Sequence, residues 1–283
     1  MTLHLTPDRA DVTSALSFLG VDAPERIVVA GDWHGNWDAA AQCLLLAANN
    51  AAHVVIQTGD FGLWPGDSGS RYLKHVSSQA EQLGVHVLWL DGNHEDFDQL
   101  EALIPGPGDL RALSNHLIYL PRGARWTWSD IRFCAVGGAT SLDRPARIQG
   151  VSWWPQEELL AFQAADIIAG GTCDVLFTHD VTNEVKVPSI HHRVYTPGWD
   201  RKELERAWIH RERVGTLTAA LEPTHLFHGH FHEAYQKLSE TTFGVVNVTG
   251  LGSDHDGESN RVLVEFDQLK DEVDSLRRAR TMF

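Results

Sequence analysis

The sequence predicts an α/β fold, and three observations support that prediction. Apolar segments typical of buried strands alternate three times with helix-like segments, the pattern of a parallel sheet covered by helices. Each of these strands ends in a glycine and a polar side chain, and functional groups of parallel sheets gather at such carboxyl ends. No internal repeat or clear linker divides the 283 residues. We therefore expect one domain over residues 1–283, with residues 180–222 as a candidate lid or insert.

The N-terminal elements follow from their start and stop signals. Pro7 in the first turn and Gly20 just past the last turn predict a helix over residues 8–19. Apolar runs predict the three strands, at residues 25–30, 53–58 and 85–90. The segments after these strands predict helices at residues 37–48, 71–83 and 96–103.

The character of the chain changes after a Pro- and Gly-rich break at residues 104–108. Further strands are predicted at residues 117–120, 124–128, 131–136, 174–178, 225–227, 243–248 and 261–266. Further helices are predicted at residues 156–165 and 202–221. We expect the strands to form two packed layers, one mixed and one richer in antiparallel strands. The segment after Val264 is either a surface helix or a disordered tail.

The composition argues against several classes of protein. The formal net charge of −15 disfavours a broad nucleic-acid surface, which is usually basic. The N-terminus lacks the features of a signal peptide, and no apolar run approaches a membrane-spanning length. Cys43, Cys134 and Cys173 lack the spacing of a disulfide framework or zinc site, so we expect buried free thiols. We expect a cytoplasmic protein with neither a membrane nor a nucleic-acid partner.

Five strand ends carry side chains of the types that bind metals. They are Asp32 with His34, Asp60, Asn93, His179, and His230 with His232. Past a strand end the backbone curls, and nearby glycines such as Gly31, Gly35 and Gly229 favour that curl, so paired side chains can face one centre. Mixed oxygen and nitrogen ligands favour manganese, iron or zinc over calcium, and the lack of thiolates argues against a structural zinc cage.

Each fragment alone has a simpler interpretation. Asn93-His94 after a glycine is more typical of a turn than of a site. Asp32-x-His34 alone is typical of a polar pair in a loop, and His179 alone of a hydrogen-bonded strand-end histidine. Chance does not explain why every fragment lies at the end of an apolar strand. The joint placement therefore predicts a site, beside which His94 can exchange a proton near neutral pH.

The order of these fragments resembles the calcineurin-like metallophosphoesterase superfamily. Its pattern of Asp-x-His, Gly-Asp, Gly-Asn-His-Asp/Glu, a later His and Gly-His-x-His appears between residues 31 and 232. The resemblance implies a four-layered α/β/β/α sandwich of two mixed sheets flanked by helices. It implies a first metal bound by Asp32, His34, Asp60 and His232. It implies a second metal bound by Asp60, Asn93, His179 and His230. Asp60 would bridge the two metals, and His94 would act beside them as general acid or phosphate contact.

The activity that the resemblance implies is hydrolysis of a phosphoric ester by metal-activated hydroxide. Two divalent ions close together lower the pKa of a bound water and neutralise charge on the phosphoryl group. We expect two such ions, with manganese favoured and iron or zinc as alternatives. The expected substrate is a small phosphate ester, in particular a phosphodiester or nucleotide.

The chain departs from the family pattern after Asp60. Many phosphomonoesterases of the superfamily continue as Gly-Asp-x-x-Asp-Arg-Gly, whose Arg binds the phosphate, whereas here Phe61-Gly62-Leu63-Trp64 follows. A protein-phosphatase interpretation is therefore weakened. Three arginines in predicted loops are the candidates for substrate binding, with a solvated surface arginine as the alternative for each. They are Arg144, Arg147 and Arg193.

Several tryptophans lie in or beside the site loops. They are Trp33, Trp37, Trp64, Trp153 and Trp154. Core packing is the favoured interpretation of each, and stacking on a nucleobase is the alternative. His191 and His192 lie in a polar stretch for which a lid is the favoured interpretation and an extension of the metal site is the alternative. Two other functions are weighed against a small-molecule phosphoesterase: a DNA nuclease of the same superfamily, which the acidic balance disfavours, and a non-catalytic scaffold, which the complete ligand set disfavours.

Overall fold

The computed structural model describes residues 11–188, 190 and 198–280. We number its helices and strands in chain order. The strands are β1 Arg26–Ala30, β2 Val54–Gln57, β3 His86–Trp89, β4 Arg111–Ser114, β5 Leu117–Tyr119, β6 Ala124–Trp128, β7 Ile131–Val136, β8 Val175–Thr178, β9 His225–His228, β10 Tyr235–Thr241, β11 Gly244–Gly250 and β12 Arg261–Glu265. The helices are α1 Thr13–Phe18, α2 Trp37–Asn49, α3 Gly66–Leu83, α4 Phe97–Ala102, α5 Ala161–Ala169, α6 Arg201–Leu221 and α7 Phe266–Arg280.

The strands in the described part of the chain form two six-stranded sheets of the same design. The first has the order β12-β1-β2-β3-β5-β4 and the second the order β10-β11-β9-β8-β7-β6. In each sheet the four central strands are parallel and both edge strands are antiparallel to their neighbours. The expectation that one sheet is richer in antiparallel strands is wrong, because the β10–β11 hairpin returns β11 parallel to β9.

Both faces of the central strands of the two sheets are covered by other elements, and this produces four layers. In β1, Ile27 and Val29 face a cluster between the two sheets, whereas Val28 and Ala30 face the outer side. This alternation is the period-2 pattern of a strand. The outer cluster of the first sheet includes residues of α2 and α3, and that of the second sheet includes residues of α5 and α6. The predicted α/β/β/α sandwich of two mixed sheets flanked by helices is confirmed.

Several elements differ from the sequence prediction, among them α3, which begins at Gly66 rather than at residue 71. The sequence does not predict β4, because this edge strand is only partly buried and shows no apolar pattern. Helix α5 begins at Ala161 rather than at residue 156, because Pro155–Glu157 is a short 3-10 turn. The Glu157 carboxylate accepts hydrogen bonds from Ser141. Of the two alternatives for the segment after Val264, the structure shows the helix, and α7 buries Phe266, Leu269 and Val273 on one face.

Some predicted features lie outside the described residues, namely the beginning of the first predicted helix and His191, His192 and Arg193. The three cysteines are free and buried, as the sequence predicts. Within the described ranges, none of the helices combines the length and apolar character that crossing a membrane requires.

Candidate metal centre

The candidate ligands follow the carboxyl ends of five parallel strands drawn from both sheets. Three strands of the first sheet, β1, β2 and β3, lead to Asp32 and His34, to Asp60, and to Asn93 and His94. Two strands of the second sheet, β8 and β9, lead to His179 and to the pair His230 and His232. Since the strands of each sheet are parallel, these ends share an edge, and the structure brings the side chains together.

One group of donors lies at the surface side of this edge. His232 Nε2 lies 3.0 Å from Asp32 Oδ2 and 3.0 Å from His34 Nε2. His34 Nε2 also lies 3.7 Å from Asp32 Oδ2. The ligand atoms of these three residues all lie within 4.8 Å of one another, so they can converge on one ion. We call Asp32, His34 and His232 the open cluster.

A second group lies deeper. His179 Nε2 lies 3.1 Å from Asn93 Oδ1 and 3.5 Å from Asp60 Oδ2. The ring of His230 packs against His179 with 5.1 Å between centroids. His179, Asp60 and Asn93 are almost completely buried. We call Asp60, Asn93 and His179 the enclosed cluster.

Asp60 lies between the two clusters. Its Oδ2 is 3.8 Å from His34 Nε2 on one side and 3.5 Å from His179 Nε2 on the other. Asp32 Oδ1 also approaches His179, at 4.0 Å from Nδ1, but that nitrogen is the one that bonds Thr58 O at 2.8 Å. The geometry therefore makes Asp60 the carboxylate between the clusters.

The backbone around the candidate ligands is strained. His34, Asp60, His230 and His232 have φ angles of 43°, 55°, 67° and 53°. Such left-handed conformations are uncommon for residues with a Cβ and cluster at functional sites. The sequence predicts that Gly31, Gly35 and Gly229 favour the curl. Of these three only Gly35 has a positive φ, of 66°, and the candidate ligands themselves adopt the left-handed conformation.

Two of the neighbouring glycines are needed for another reason, which is close approach. A Cβ on Gly92 would lie 2.1 Å from Asp60 Oδ1, and a Cβ on Gly229 would lie 2.1 Å from Asp32 Oδ1. Neither distance is compatible with a side chain. The glycines of the Gly-Asn-His and Gly-His-x-His segments thus let the two carboxylates lie directly against the next strand end.

Residues outside the predicted set fix the direction of the enclosed ligands. Thr58 O accepts from His179 Nδ1, which fixes the tautomer, so that in the neutral imidazole Nε2 carries no proton and faces the cluster. Asn93 Nδ2 donates to Ser141 Oγ at 3.1 Å, which turns its Oδ1 toward His179. Ser141 in turn donates through Oγ and N to Glu157. The sequence carries no signal for this chain of contacts, because its members are far apart along the chain.

Glu95 joins two of the ligand-bearing loops. Its Oε1 accepts from Phe61 N at 2.6 Å, and its Oε2 accepts from Gly92 N at 2.7 Å. Burial, together with the nearby Asp60, raises the pKa of the Glu95 carboxyl to about 8. The sequence does point to Glu95, since it completes the Gly-Asn-His-Glu segment, although no role follows from the sequence alone.

The electrostatics of the centre favour positive charge. Burial opposes a charged imidazole at His179, yet Asp60 and Asp32 raise its pKa to about 10. Burial also opposes a charged carboxylate at Asp60, but His94 and His179 keep its pKa well below the usual range. By contrast, burial lowers the pKa of His230 to about 4, so this imidazole is neutral and can act as a ligand.

The surroundings of Asp60 Oδ2 show whether the residues present fit a metal ion. Asp60 Oδ2 is buried and has no hydrogen-bond partner, an unusual state for a carboxylate oxygen. Three histidine nitrogens face it at 3.5 to 3.9 Å. A divalent cation would supply the missing partner, and the mixed carboxylate, amide and imidazole donors suit such an ion. The donor set therefore fits the implied metals.

His94 lies beside the clusters rather than within them. Its Nε2 is 3.9 Å from Asp60 Oδ2, and its backbone N–H donates to Asp60 Oδ1 at 2.8 Å. On its outer side, Arg147 Nη2 lies 2.9 Å from His94 Nε2. Burial, opposed by Asp60 and assisted by Arg147, lowers the pKa of His94.

The predicted arginines differ in their placement. Arg147 contacts His94 and is fixed by Asp143 Oδ2 at 2.8 Å. Arg144 instead faces α6, where it donates to both carboxylate oxygens of Glu203. Arg147 is therefore the better placed of the two to meet a substrate at the clusters.

Comparison with known proteins agrees with this geometry. A family model described as calcineurin-like phosphoesterase matches residues 25–234, a range that includes every candidate ligand. The crystal structure of TT1561 from Thermus thermophilus has a TM-score of 0.51 and 12% identity, covering 88% of this chain and 96% of that one. At that identity the likeness shows the fold alone.

A second solved structure is a dimetal phosphatase from Danio rerio. It has a TM-score of 0.48 and 13% identity, and the match covers 84% of this chain and 90% of that chain. Because this score is low, we base no argument on it. No curated protein matches the sequence.

Proposed function

The chain belongs to the calcineurin-like phosphoesterase family, and on that premise we propose that it hydrolyses a small phosphate ester with the help of two divalent metal ions. The observation that carries this proposal is Asp60. It is a buried carboxylate between two donor clusters, with one oxygen that lacks any hydrogen-bond partner. A non-catalytic scaffold has no need to keep such a costly group in place.

We assign the two ions to the two clusters. Asp32, His34 and His232 with the shared Asp60 would bind the first, and Asn93, His179 and His230 with Asp60 the second. When bound, the ions would supply Lewis-acid activation of the attacking water and neutralise charge on the phosphoryl group. Manganese is our first choice, with iron and zinc as alternatives, because the donors are oxygen and nitrogen without thiolate.

His94 is the candidate catalytic residue of this chain. It lies next to Asp60 and faces outward toward Arg147, so it stands where the leaving oxygen of a bound ester would emerge. We assign it to contact the phosphoryl group or, in its protonated form, to donate a proton to that oxygen. Arg147 adds a fixed positive charge that can bind a phosphoryl oxygen and offset its negative charge.

The proposed substrate is a small molecule, in particular a phosphodiester or nucleotide, in the cytoplasm. The alternative of a DNA nuclease is less well supported, since the net charge of −15 offers little electrostatic attraction for a polyanion. A cleavage assay on single- and double-stranded DNA separates the two activities.

The test is hydrolysis of bis-p-nitrophenyl phosphate by purified protein with Mn²⁺. We expect turnover by the wild type and a loss of roughly 10²–10⁴-fold in His94→Ala, the range for removal of a general acid. His255→Ala is the matched control, because that side chain is 84% exposed. Full activity in His94→Ala, or a wild type that neither binds metal nor hydrolyses the ester, would overturn the proposal.

A further inference from the structure

A cleft opens beside His94, whose side chain forms part of its lining. Its volume is about 390 Å³, and its lining includes Trp64, His94, Arg147, Val151 and Trp154. We call this the aromatic cleft. Its size lies within the range of small-molecule sites, and two indoles together with a few polar groups are typical of such sites.

The aromatic cleft and the donor clusters share His94 as a common wall. His94 Nε2 is 3.9 Å from Asp60 Oδ2, and the same ring lines the cleft. A phosphoryl group at the clusters that extends past His94 therefore enters the cleft. Since the phosphoryl group stays at the clusters, the part of a phosphate monoester that extends past His94 into the cleft is its organic group, which is the leaving group.

The walls of the cleft are built in advance. Trp64 Nε1 donates to His94 O at 2.9 Å, and its ring packs so closely on Gly35 that an added Cβ would lie 3.1 Å away. Trp154 is only 6% exposed. Arg147 donates to Asp143 Oδ2 and to Ser152 O. A site with fixed walls loses little conformational freedom on binding, which favours a specific occupant.

We propose that the aromatic cleft binds the leaving group of the substrate, and that this group carries a flat aromatic ring, either a nucleobase or a phenyl ring. This inference rests on the proposed function. In the reaction, water forms the new bond to phosphorus and the bond from phosphorus to the leaving oxygen breaks. That oxygen keeps the electron pair and takes a proton, so the products are a phosphate and an alcohol or phenol with the ring.

The chemistry of the lining favours an aromatic ring over an aliphatic chain. Indole faces stack on flat π-systems, and every nucleobase has such a face. The guanidinium of Arg147 at the phosphate end attracts both a phosphoryl oxygen and the face of a ring. Val151 supplies an exposed apolar edge at the mouth, where its side chain is free to be varied.

The experiment compares three monoesters with Mn²⁺ present: adenosine 5′-monophosphate, phenyl phosphate and glycerol 3-phosphate. The variant is Val151→Trp, which fills the mouth of the cleft. Ile148→Trp is the matched control, because it adds the same indole to an exposed position of the same loop outside the cleft lining. We expect Val151→Trp to lower kcat/KM for one or both aromatic esters by tenfold or more beyond its effect on glycerol 3-phosphate.

The control variant should leave kcat/KM for all three esters within twofold of wild type. A loss confined to the adenosine ester identifies a nucleobase site, and a loss confined to phenyl phosphate identifies a smaller aryl site. Equal effects of Val151→Trp on all three esters, or equal effects of the two variants, would overturn the inference while leaving the proposed function intact.

A binding measurement separates this inference from the proposed hydrolysis. Phenylphosphonate has no ester bond, so its affinity can be measured by calorimetry against methylphosphonate. We expect the wild type to bind phenylphosphonate at least tenfold more tightly, and Val151→Trp to lose that difference. If no ester is hydrolysed but this preference is present, the hydrolase proposal fails and the cleft remains supported. Equal affinity for the two phosphonates would contradict the aromatic cleft.

Discussion

The open and enclosed clusters use the same kinds of side chain, but they differ in depth. The His232 and His34 side chains are 47% and 17% exposed, whereas His179 is 0% exposed. In the enclosed cluster, the polar atoms of His179 and Asn93 that point away from the cluster are hydrogen-bonded. His179 Nδ1 donates to Thr58 O, and Asn93 Nδ2 donates to Ser141 Oγ. In the open cluster, His34 Nε2 and His232 Nε2 simply face each other at 3.0 Å.

This difference shows which of the two clusters the fold orders before a metal ion binds. Hydrogen bonds behind a ligand fix its orientation and raise metal affinity, and they are costly to lose. The enclosed cluster has such bonds from two sides, so its geometry is set before any ion arrives. In the open cluster Asp32 is also held, by the N–H of His230, but the imidazole of His232 is 47% exposed, so we expect an ion there to order part of its own ligand set. We expect the enclosed ion to be the tighter one.

Removing the shared carboxylate is the largest change that tests this comparison. In Asp60→Asn both clusters lose the charged oxygen between them, so we expect metal content to fall below two ions per chain. Activity should fall by more than the roughly 10–100-fold typical of contacts behind the ligands. Metal analysis and ester hydrolysis measure both effects. Asp130→Asn is the control, since that carboxylate is 91% exposed. Two bound ions per chain in Asp60→Asn would show that the two clusters do not depend on a shared carboxylate.

Removing one ligand from each cluster separates the two sites. His232→Ala should leave one tightly bound ion, because the enclosed cluster keeps all its ligands and their supporting bonds. His179→Ala should leave one ion that a chelator removes quickly. Timed dialysis against a chelator, followed by metal analysis, compares the two variants. The same rate of loss from both would contradict the difference in depth.

The sequence predicts the candidate ligands but not this difference in depth. Asp32, Asp60 and His179 each follow an apolar strand, and parallel strands necessarily bring their ends to one edge. The four layers are what the resemblance to the calcineurin-like superfamily implies. Depth, however, depends on contacts between distant segments, such as Ser141 with Asn93, and no local pattern encodes them. The near-symmetry of the two sheets also escapes the sequence, because it depends on how β10 and β11 pair.

The hydroxyl of Ser141 tests the contacts behind the enclosed cluster. Ser141→Ala removes the acceptor of Asn93 Nδ2, so the amide is free to turn its oxygen away from His179. We expect metal affinity at the enclosed cluster to fall by roughly 10–100-fold, with little change at the open cluster. The neighbouring Thr140→Val is the matched control, because Thr140 Oγ1 is buried without a hydrogen-bond partner. Equal affinities in the two variants would show that the amide needs no such support.

The pH dependence of metal binding offers the finest test. Without metal, the pKa of His179 is raised to about 10, so at neutral pH its proton must leave before the imidazole can bind an ion. His230, whose pKa is lowered to about 4, has no proton to release. We expect about one proton released per enclosed ion at pH 7, and affinity that rises about tenfold per pH unit below pH 10. Calorimetry in buffers of different protonation enthalpy measures the release.

The His179 proton, which opposes metal binding, stabilises the folded state of the metal-free protein. A histidine with a raised pKa in the folded state stabilises that state fully below its ordinary value near 6.5, and the contribution is lost as pH rises toward 10. The gap in Tm between metal-loaded and metal-free protein should therefore widen from pH 6.5 to pH 10. His179→Ala should reduce this widening, while His255→Ala should preserve it. If the Tm difference between metal-loaded and metal-free wild type stays constant with pH, the enclosed ion and the proton do not compete for the His179 imidazole.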